Sequence, residues 1–279
     1  MSANHSETTE ADRQFTLWMR SNLHAAADHF DVAVSGEPVM GWRLRSISAP
    51  VERNGADLWL RVVSEQVQYA EGDWWTGNVD ANAITGIAKP RVLDTDEWEI
   101  PNFRRQQAEL MTRMAGTPIS PTDVLRYDPP LPTSWWDELR HSLDQLAAMP
   151  TQRLNHDEGG TKRAREARGP DIPLPPIERW ETVHGDLQWA NILRPFALLD
   201  WEFWGRGVAG TDPATLYCYS LLAPRTADII WNLFADILDT DNGRNALLHV
   251  SARLLHRTTN MDDHPDLEQP LRRLVARIS

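Results

Sequence analysis

Hydrophobic and polar positions follow two rhythms along this chain, and the change between them divides it. From Phe15 to His29 apolar residues recur at helical spacing, with Leu17, Met19 and Leu23 among them, which predicts an amphipathic helix. The preceding stretch, MSANHSETTEADRQ, is polar and acidic, so residues 1–14 are expected to be a disordered leader. Between Val39 and Val63 the rhythm shortens to alternating runs. "GWRLRSISAPV" and "DLWLRVV" flank Asn54-Gly55, a dipeptide favoured in tight hairpins. "KPRVLDTDEWE" and "AELMTRM" add two further strands. Residues 15–115 should therefore form a lobe built on a sheet, closed by the glycine and prolines of "AGTPISP".

Residues 116–279 read mostly as helix. Ser134 with Asp137 forms a candidate capping box for a helix carrying Leu139, Leu143 and Leu146 on one face. Residues 155–178 are polar and broken by glycine and proline, which predicts a long loop with Lys162, Arg163, Arg165 and Arg168 in solvent. Asp212-Pro213 has the form of a helix N-cap followed by proline. "DIIWNLFADIL" then sets Ile229, Ile230, Leu233, Phe234 and Ile237 in a stripe, and "ALLHVSARLLH" repeats the theme. The fold class is α+β: an N-terminal antiparallel-sheet lobe and a larger, mostly helical C-terminal lobe.

The helical pattern is interrupted once. In residues 183–205 the apolar runs "NIL" and "ALL" stand on either side of Arg194-Pro195-Phe196, the pattern of a tight hairpin. Such a hairpin puts Asn191 at the entrance of one strand and Asp200 at the exit of the other, on the same side, with Asp186 on the loop feeding in. Phosphoryl transfer uses that combination, because its transition state is stabilised chiefly by metal ions and by positioning. A carboxylate and an amide carbonyl are hard oxygen ligands for magnesium. A separate carboxylate can orient the attacking hydroxyl and take its proton.

Composition narrows the partners. The chain has 279 residues, enough for one large domain or two lobes. Cys218 is its single cysteine, which excludes an internal disulfide and favours a reducing compartment. No signal-like leader and no apolar run of about 18 residues occurs, so a cytoplasmic protein without a membrane span is expected. The net charge of −12, with no dense basic face, argues against a nucleic-acid partner. It is compatible with a cationic small molecule, although solubility explains it equally well. Nine histidines are scattered without an HxH or HExxH spacing, which leaves a zinc centre unsupported. Of thirteen tryptophans, Trp189, Trp201 and Trp204 flank the interrupted segment, either as a platform for a cation or as packing. Cys218 and Tyr219 belong to an apolar helix and should be core.

"HGDLQWAN" is similar to the catalytic-loop motif of the aminoglycoside phosphotransferase and choline kinase-like superfamily, distant relatives of protein kinases. There the pattern is His-Gly-Asp-Leu, three residues, then Asn, which falls on Asn191. "LLDWEFWG" resembles the metal-binding Asp-Trp-Glu segment of that superfamily, and "GTDPATL" resembles the Asp-Pro-Ala segment that follows it. "AELMTRMAGTPI" resembles the linker whose backbone holds the nucleotide base. The resemblance spans roughly residues 39–222 and implies a two-lobe protein-kinase-like fold. It also implies a Mg2+-dependent O-phosphotransferase that moves the γ-phosphate of ATP or GTP to a hydroxyl of an antibiotic, amino alcohol or sugar-like acceptor. On that footing Asp186 orients the acceptor, Asn191 and Asp200 hold Mg2+, His184 braces the loop and Asp212 braces it from the following helix. Thr112 and Met114 would offer backbone contacts to the base, with Met111 behind it. Arg61 falls where the superfamily usually has a phosphate-gripping lysine, with Asp80 as a candidate acidic partner. Glu202 either orients the metal shell or the substrate, or faces solvent. The competing expectation is a relative that has lost turnover and binds a nucleotide or another ligand.

Overall fold

A computed structural model describes residues 9–155, 160–169, 174, 176–261 and 263–278. It divides into two compact units, Met1–Asn82 with Pro90–Met114 and Ala83–Lys89 with Ala115–Ser279. A single cut at residue 115 therefore misses one exchange. The Ala88 carbonyl accepts from Leu198 N at 2.9 Å and the Thr85 carbonyl accepts from Gln145 Nε2 at 3.1 Å, which ties 83–89 to the second unit.

In the first unit α1 (Glu10–His29) starts earlier than the apolar pattern suggests. Thr9 Oγ1 accepts from Asp12 N and Asp12 Oδ2 accepts from Thr9 N, a reciprocal cap that satisfies two otherwise orphaned amides. Residues 10–14 are thus helix rather than leader, and residues 1–8 lie outside the described residues. The buried stripe is Met19, Leu23, Ala26 and Ala27; Leu17, expected beside them, is exposed.

That stripe covers an antiparallel sheet of β1 (Ala33–Val34), β2 (Val39–Met40), β3 (Ser46–Arg53), β4 (Ala56–Gln66), β5 (Val92–Ile100) and β6 (Arg104–Thr112), with α2 (Asp73–Asp80) between β4 and β5. The order is β1-β3-β4-β6-β5, with β2 also on β3. Asn54 (φ 54°) and Gly55 (φ 78°) are both left-handed, as a two-residue turn matching strand twist requires. The turn sets Arg53 opposite Ala56 and fixes the register. One face, Ile47, Ala49 and Val51 with Leu58, Leu60 and Val62, is then buried with α1.

The second unit carries β7 (Thr117–Pro118), α3 (Thr133–Ala147), α4 (Gly160–Arg168), β8 (Trp180–Val183), β9 (Leu193–Arg194), β10 (Gly205–Val208), α5 (Thr211–Tyr219), α6 (Pro224–Leu233), α7 (Ala235–Leu238), α8 (Asp241–Asn260) and α9 (Glu268–Ile278). Leu139, Leu143 and Leu146 are buried on α3 as the pattern predicts. The expected capping box is absent, because the helix begins at Thr133 behind Pro132 and has no side-chain cap. The basic stretch is helix α4 rather than loop. Ala, Lys, Arg and Glu favour helix, and Gly160 and Ala164 are its buried residues, on a helix that packs on α8. Ile230 and Phe234 are buried in α6 and at its end, whereas Ile229 is exposed: the helix stops at Leu233, so the stripe does not run on unbroken.

Candidate active site

The segment 184–204 hangs from two paired strands. β8 runs into it and β10 leaves it, antiparallel, with Val183 opposite Gly205. Its hairpin is slighter than two full strands. Leu193 N donates to the Ala197 carbonyl at 3.0 Å, Leu199 N donates to the Asn191 carbonyl at 2.8 Å, and Ile192 bridges Leu198. β9 pairs instead with β7. Few as they are, these bonds fix the register that matters. Asn191 faces Leu199, the neighbour of Asp200.

The loop before Asp186 is clamped. Asp212 Oδ2 accepts from His184 N at 2.7 Å and its Oδ1 accepts from Gly185 N at 3.0 Å. Asp212 is therefore not the cap of its own helix: α5 starts at Thr211 behind Gly210, and the carboxylate serves the neighbouring loop instead. Burial pushes Asp212 up, and the two amides that it accepts from offset part of that rise. Gly185 (φ 83°) has no room for a side chain, since a Cβ would lie 2.1 Å from Asn155 Nδ2 and 2.5 Å from the Phe203 carbonyl.

His184 is fully buried, and burial lowers its pKa, so the ring is neutral. Its Nε2 faces the Leu199 carbonyl at 2.9 Å and must donate there; its Nδ1 then accepts from Asp186 N at 3.4 Å. One neutral tautomer satisfies both contacts. It links the turn bearing Asp186 to the residue beside Asp200.

Asn191 Nδ2 donates to the Asp186 carbonyl at 3.1 Å and to Asp186 Oδ2 at 3.2 Å. Asp186 Oδ1 makes no hydrogen bond among the described residues. Burial, then the nearby Asp200 charge, raises the Asp186 carboxyl to about 6, against the opposing pull of Arg253. Asp200 sits in the left-handed region (φ 58°), and its Oδ1 is buried without a hydrogen-bond partner among the described residues. An orphaned carboxylate oxygen is costly unless something else satisfies it. Among the described residues no group of three or more His, Cys, Asp or Glu could enclose a metal. Asp200 and Asn191, if they hold a metal, could offer one carboxylate and one amide oxygen, a set that suits Mg2+ completed by phosphate oxygens and water better than an all-protein cage.

Glu202 is buried at 3% exposure, which removes the solvent-facing alternative. The flanking tryptophans are core. Trp189 stacks on Trp135 with centroids 6.3 Å apart and donates to Ser220 Oγ at 2.9 Å. Trp201 and Trp204 do face cations, but the chain's own: Lys89 Nζ is 5.7 Å from the Trp201 ring and Arg153 Cζ 4.7 Å from Trp204.

In the first unit Arg61 lies directly opposite Glu109 in the β4–β6 ladder. Its Nη1 is 3.1 Å from Glu109 Oε2, with side-chain exposures of 12% and 1%. Asn78 Nδ2 of α2 donates to the same oxygen at 2.9 Å. One acid at Arg61 thus comes from the neighbouring strand, and Asp80, exposed at the end of α2, accepts from Thr76 Oγ1. Cross-strand pairing was the signal for Glu109. Met111 and Thr112 end β6 and Met114 follows. The Thr112 amide is already committed to the Arg91 carbonyl at 2.9 Å, which takes that amide away from a ligand. The Met114 amide makes no hydrogen bond among the described residues.

Sequence reasoning passed over Arg253 and Arg257 of α8, hidden in an ordinary helical stripe. Arg257 Nη1 donates to Tyr219 Oη at 2.8 Å and its Nη2 to Asp123 Oδ2 at 3.1 Å. Both arginines are charges felt at Asp186.

No protein-family model and no curated protein sequence matches the chain significantly. Solved structures do. Aminoglycoside phosphotransferase APH(4)-Ia superposes with a TM-score of 0.61 at 15% identity, over 93% of this chain and 97% of that one. A thermostable mutant of it, solved with ADP and hygromycin B, superposes at 0.61 and 14%, over 92% and 97%. Amicoumacin kinase hAmiN, with AMP-PNP, Ca2+ and Ami, gives 0.57 at 10%, over 97% and 96%. At these identities the likeness speaks to architecture: the chain has the kinase-like fold of the aminoglycoside phosphotransferases.

Proposed function

We propose that this protein is a small-molecule O-phosphotransferase that moves the γ-phosphate of ATP or GTP to a hydroxyl, with Mg2+ held by Asn191 and Asp200. The observation that carries the reading is the pairing of Asp186 and Asn191 beside an unsatisfied Asp200 oxygen, on a loop clamped by Asp212. The solved relatives in complex with ADP or AMP-PNP and an antibiotic lend it support.

Bound Mg2+ would neutralise phosphate charge and hold the nucleotide in line. Asp186 does the proton work. Asn191 holds its Oδ2, so Oδ1 is left for the acceptor hydroxyl. As the hydroxyl oxygen bonds to the γ-phosphorus, its proton passes to Asp186. The bond from that phosphorus to the bridging oxygen breaks, and its electron pair leaves with the nucleoside diphosphate. His184 and Asp212 contribute rigidity, keeping Asp186 within reach without an induced rearrangement. Arg61 would steady the phosphates and Met114 the base, and a cytoplasmic location suits a nucleotide-dependent enzyme with one free cysteine.

One observation favours a second reading, a kinase-like protein that binds without turnover: Arg61 already engages Glu109. Calorimetry with ATP and GTP, each with and without Mg2+, followed by a nucleoside-diphosphate release assay over an acceptor panel, separates the two. Mg2+-dependent binding with acceptor-dependent release is expected. Nucleotide binding without release by any acceptor favours the second reading, and no nucleotide binding sinks the first and leaves a kinase-like module for another ligand.

A further inference from the structure

Against strands β8 and β10 and helix α8, wholly within the second unit, lies a cavity of about 310 Å³. Asn155, Trp180, Arg206, Thr211, His249 and Arg253 line it, and among the described lining residues none is a carboxylate. Arg253 of α8 donates to Thr215 Oγ1 at 3.3 Å and forms no ion pair with any described residue. Arg206 of β10 likewise forms none, and lies 5.6 Å from the Trp180 ring. A guanidinium keeps its charge in any such setting and has five donors, so most of the hydrogen-bonding capacity here is unused.

Two features tie the cavity to Asp186. Asn155, in its wall, donates to the Phe203 carbonyl at 2.7 Å and is the group that a Cβ at Gly185 would strike. Arg253 is close enough for its charge to act on the Asp186 carboxyl. A space of this size holds roughly ten waters' worth of volume, enough for an oxyanion head and a few carbons. Paired guanidinium forks match planar or tetrahedral oxyanions and repel cations.

We infer that this cavity seats the anionic group, a carboxylate or phosphate, of a hydroxyl-bearing acid that is the protein's acceptor. The inference rests on the phosphotransferase reading for the word acceptor, but not for the anion site itself. It also reverses the expectation of a cationic acceptor drawn from net charge. The acceptor class becomes the hydroxy acids and sugar phosphates, in place of polycationic antibiotics.

The test begins without nucleotide. Inorganic phosphate and malonate are titrated by calorimetry into native protein, Arg253→Gln and Arg206→Gln, each checked by thermal melting. One of the two anions should bind native protein, and each substitution should weaken it about tenfold. Should Arg253→Gln fail to fold, Arg206→Gln, at an exposed position, decides alone. With Mg2+-nucleotide present, hydroxy acids, sugar phosphates, neutral polyols and aminoglycosides are then compared as acceptors. An acid should be preferred, carboxylate or phosphate according to the winner, with KM raised about tenfold in Arg206→Gln and kcat little changed. Failure of both anions to bind, or equal use of neutral or cationic acceptors by native and variant protein, overturns the inference and leaves the phosphotransferase reading intact. Anion binding in a protein that never binds nucleotide does the reverse.

Discussion

The catalytic turn of the second unit and the Arg61 patch of the first both place charged side chains in buried surroundings, but they satisfy them differently. Around Asp186 the bracing carboxylate of Asp212 is held by backbone amides, and the His184 ring is neutral, so rigidity is achieved without a compensating ion. That leaves Asp186 Oδ1 and Asp200 Oδ1 without a hydrogen bond among the described residues, as the proposed substrate and metal roles require. At Arg61 the cation meets a carboxylate across the ladder, and much of its charge is spent inside the sheet. Functional polarity survives where backbone does the bracing. It is muted where an ion pair does.

Breaking the first region should have the largest effect. Asp186→Asn keeps the shape and the Asn191 neighbourhood but cannot take a proton at the replaced position. Turnover with any identified acceptor should fall by about 10²–10⁴-fold. Nucleotide affinity, measured by calorimetry, should change little, because the side chain faces the acceptor. Near-native turnover would remove Asp186 from the chemistry.

The second region should respond in stability before it responds in binding. Arg61→Ala deletes a charge partner of Glu109, which is 1% exposed, and should cost up to about 3 kcal/mol in denaturant unfolding. The paired replacement Arg61→Met with Glu109→Leu should recover most of that loss, since no buried acid is then stranded. If the pair also recovers nucleotide affinity, Arg61 is structural and the phosphates are gripped elsewhere. If affinity stays about tenfold down, Arg61 serves both ends.

Asp212→Asn sharpens the contrast from the other side. An amide can accept from only one of the two loop amides, and the other is left buried beside an N–H donor. A loss of about 2 kcal/mol is expected, with a parallel fall in kcat as the loop loosens. A stability change with kcat untouched would mean that the clamp holds the fold and not the geometry of Asp186.

How much of this was legible in the sequence follows from what is local. The β3–β4 hairpin was readable because Asn54-Gly55 states its own backbone conformation, and the Asp186, Asn191 and Asp200 spacing because one short hairpin joins them. Asp212 carries a cap pattern before Pro213 and, by resemblance, a brace for the preceding loop; one carboxylate can satisfy amides of its own helix or of another loop, and the tertiary structure chooses the brace. Helix α4 was missed because glycines and prolines around a strongly helix-forming run dominated the pattern. Glu109 and Arg253 are ordinary strand and helix residues until a non-local neighbour gives them a task.

The smallest expected effect lies just outside the catalytic turn. The Asp123 carbonyl accepts from Trp189 N at 3.2 Å, so the loop bearing Asp123 helps to hold the turn before Asn191. Burial alone would raise the Asp123 carboxyl, but the His264 contact and the Arg257 charge outweigh it and bring it down to about 2 from 3.8. A depressed acid contributes stability that is present above its unfolded value, near pH 4, and is lost as pH falls through about 2. The side chain is only 23% exposed, so solvent screening leaves most of the effect, at most about 2 kcal/mol. Asp123→Asn should therefore unfold more easily than native protein at pH 6 by up to that amount. The gap should close between about pH 4 and pH 2, as native protein loses the same contribution by protonation. Denaturant midpoints at pH 6, 4 and 2.5 read this directly. A gap that stays constant across the series would mean that the side chain stabilises without its charge, and no gap at any pH would leave the backbone contact as all that Asp123 contributes.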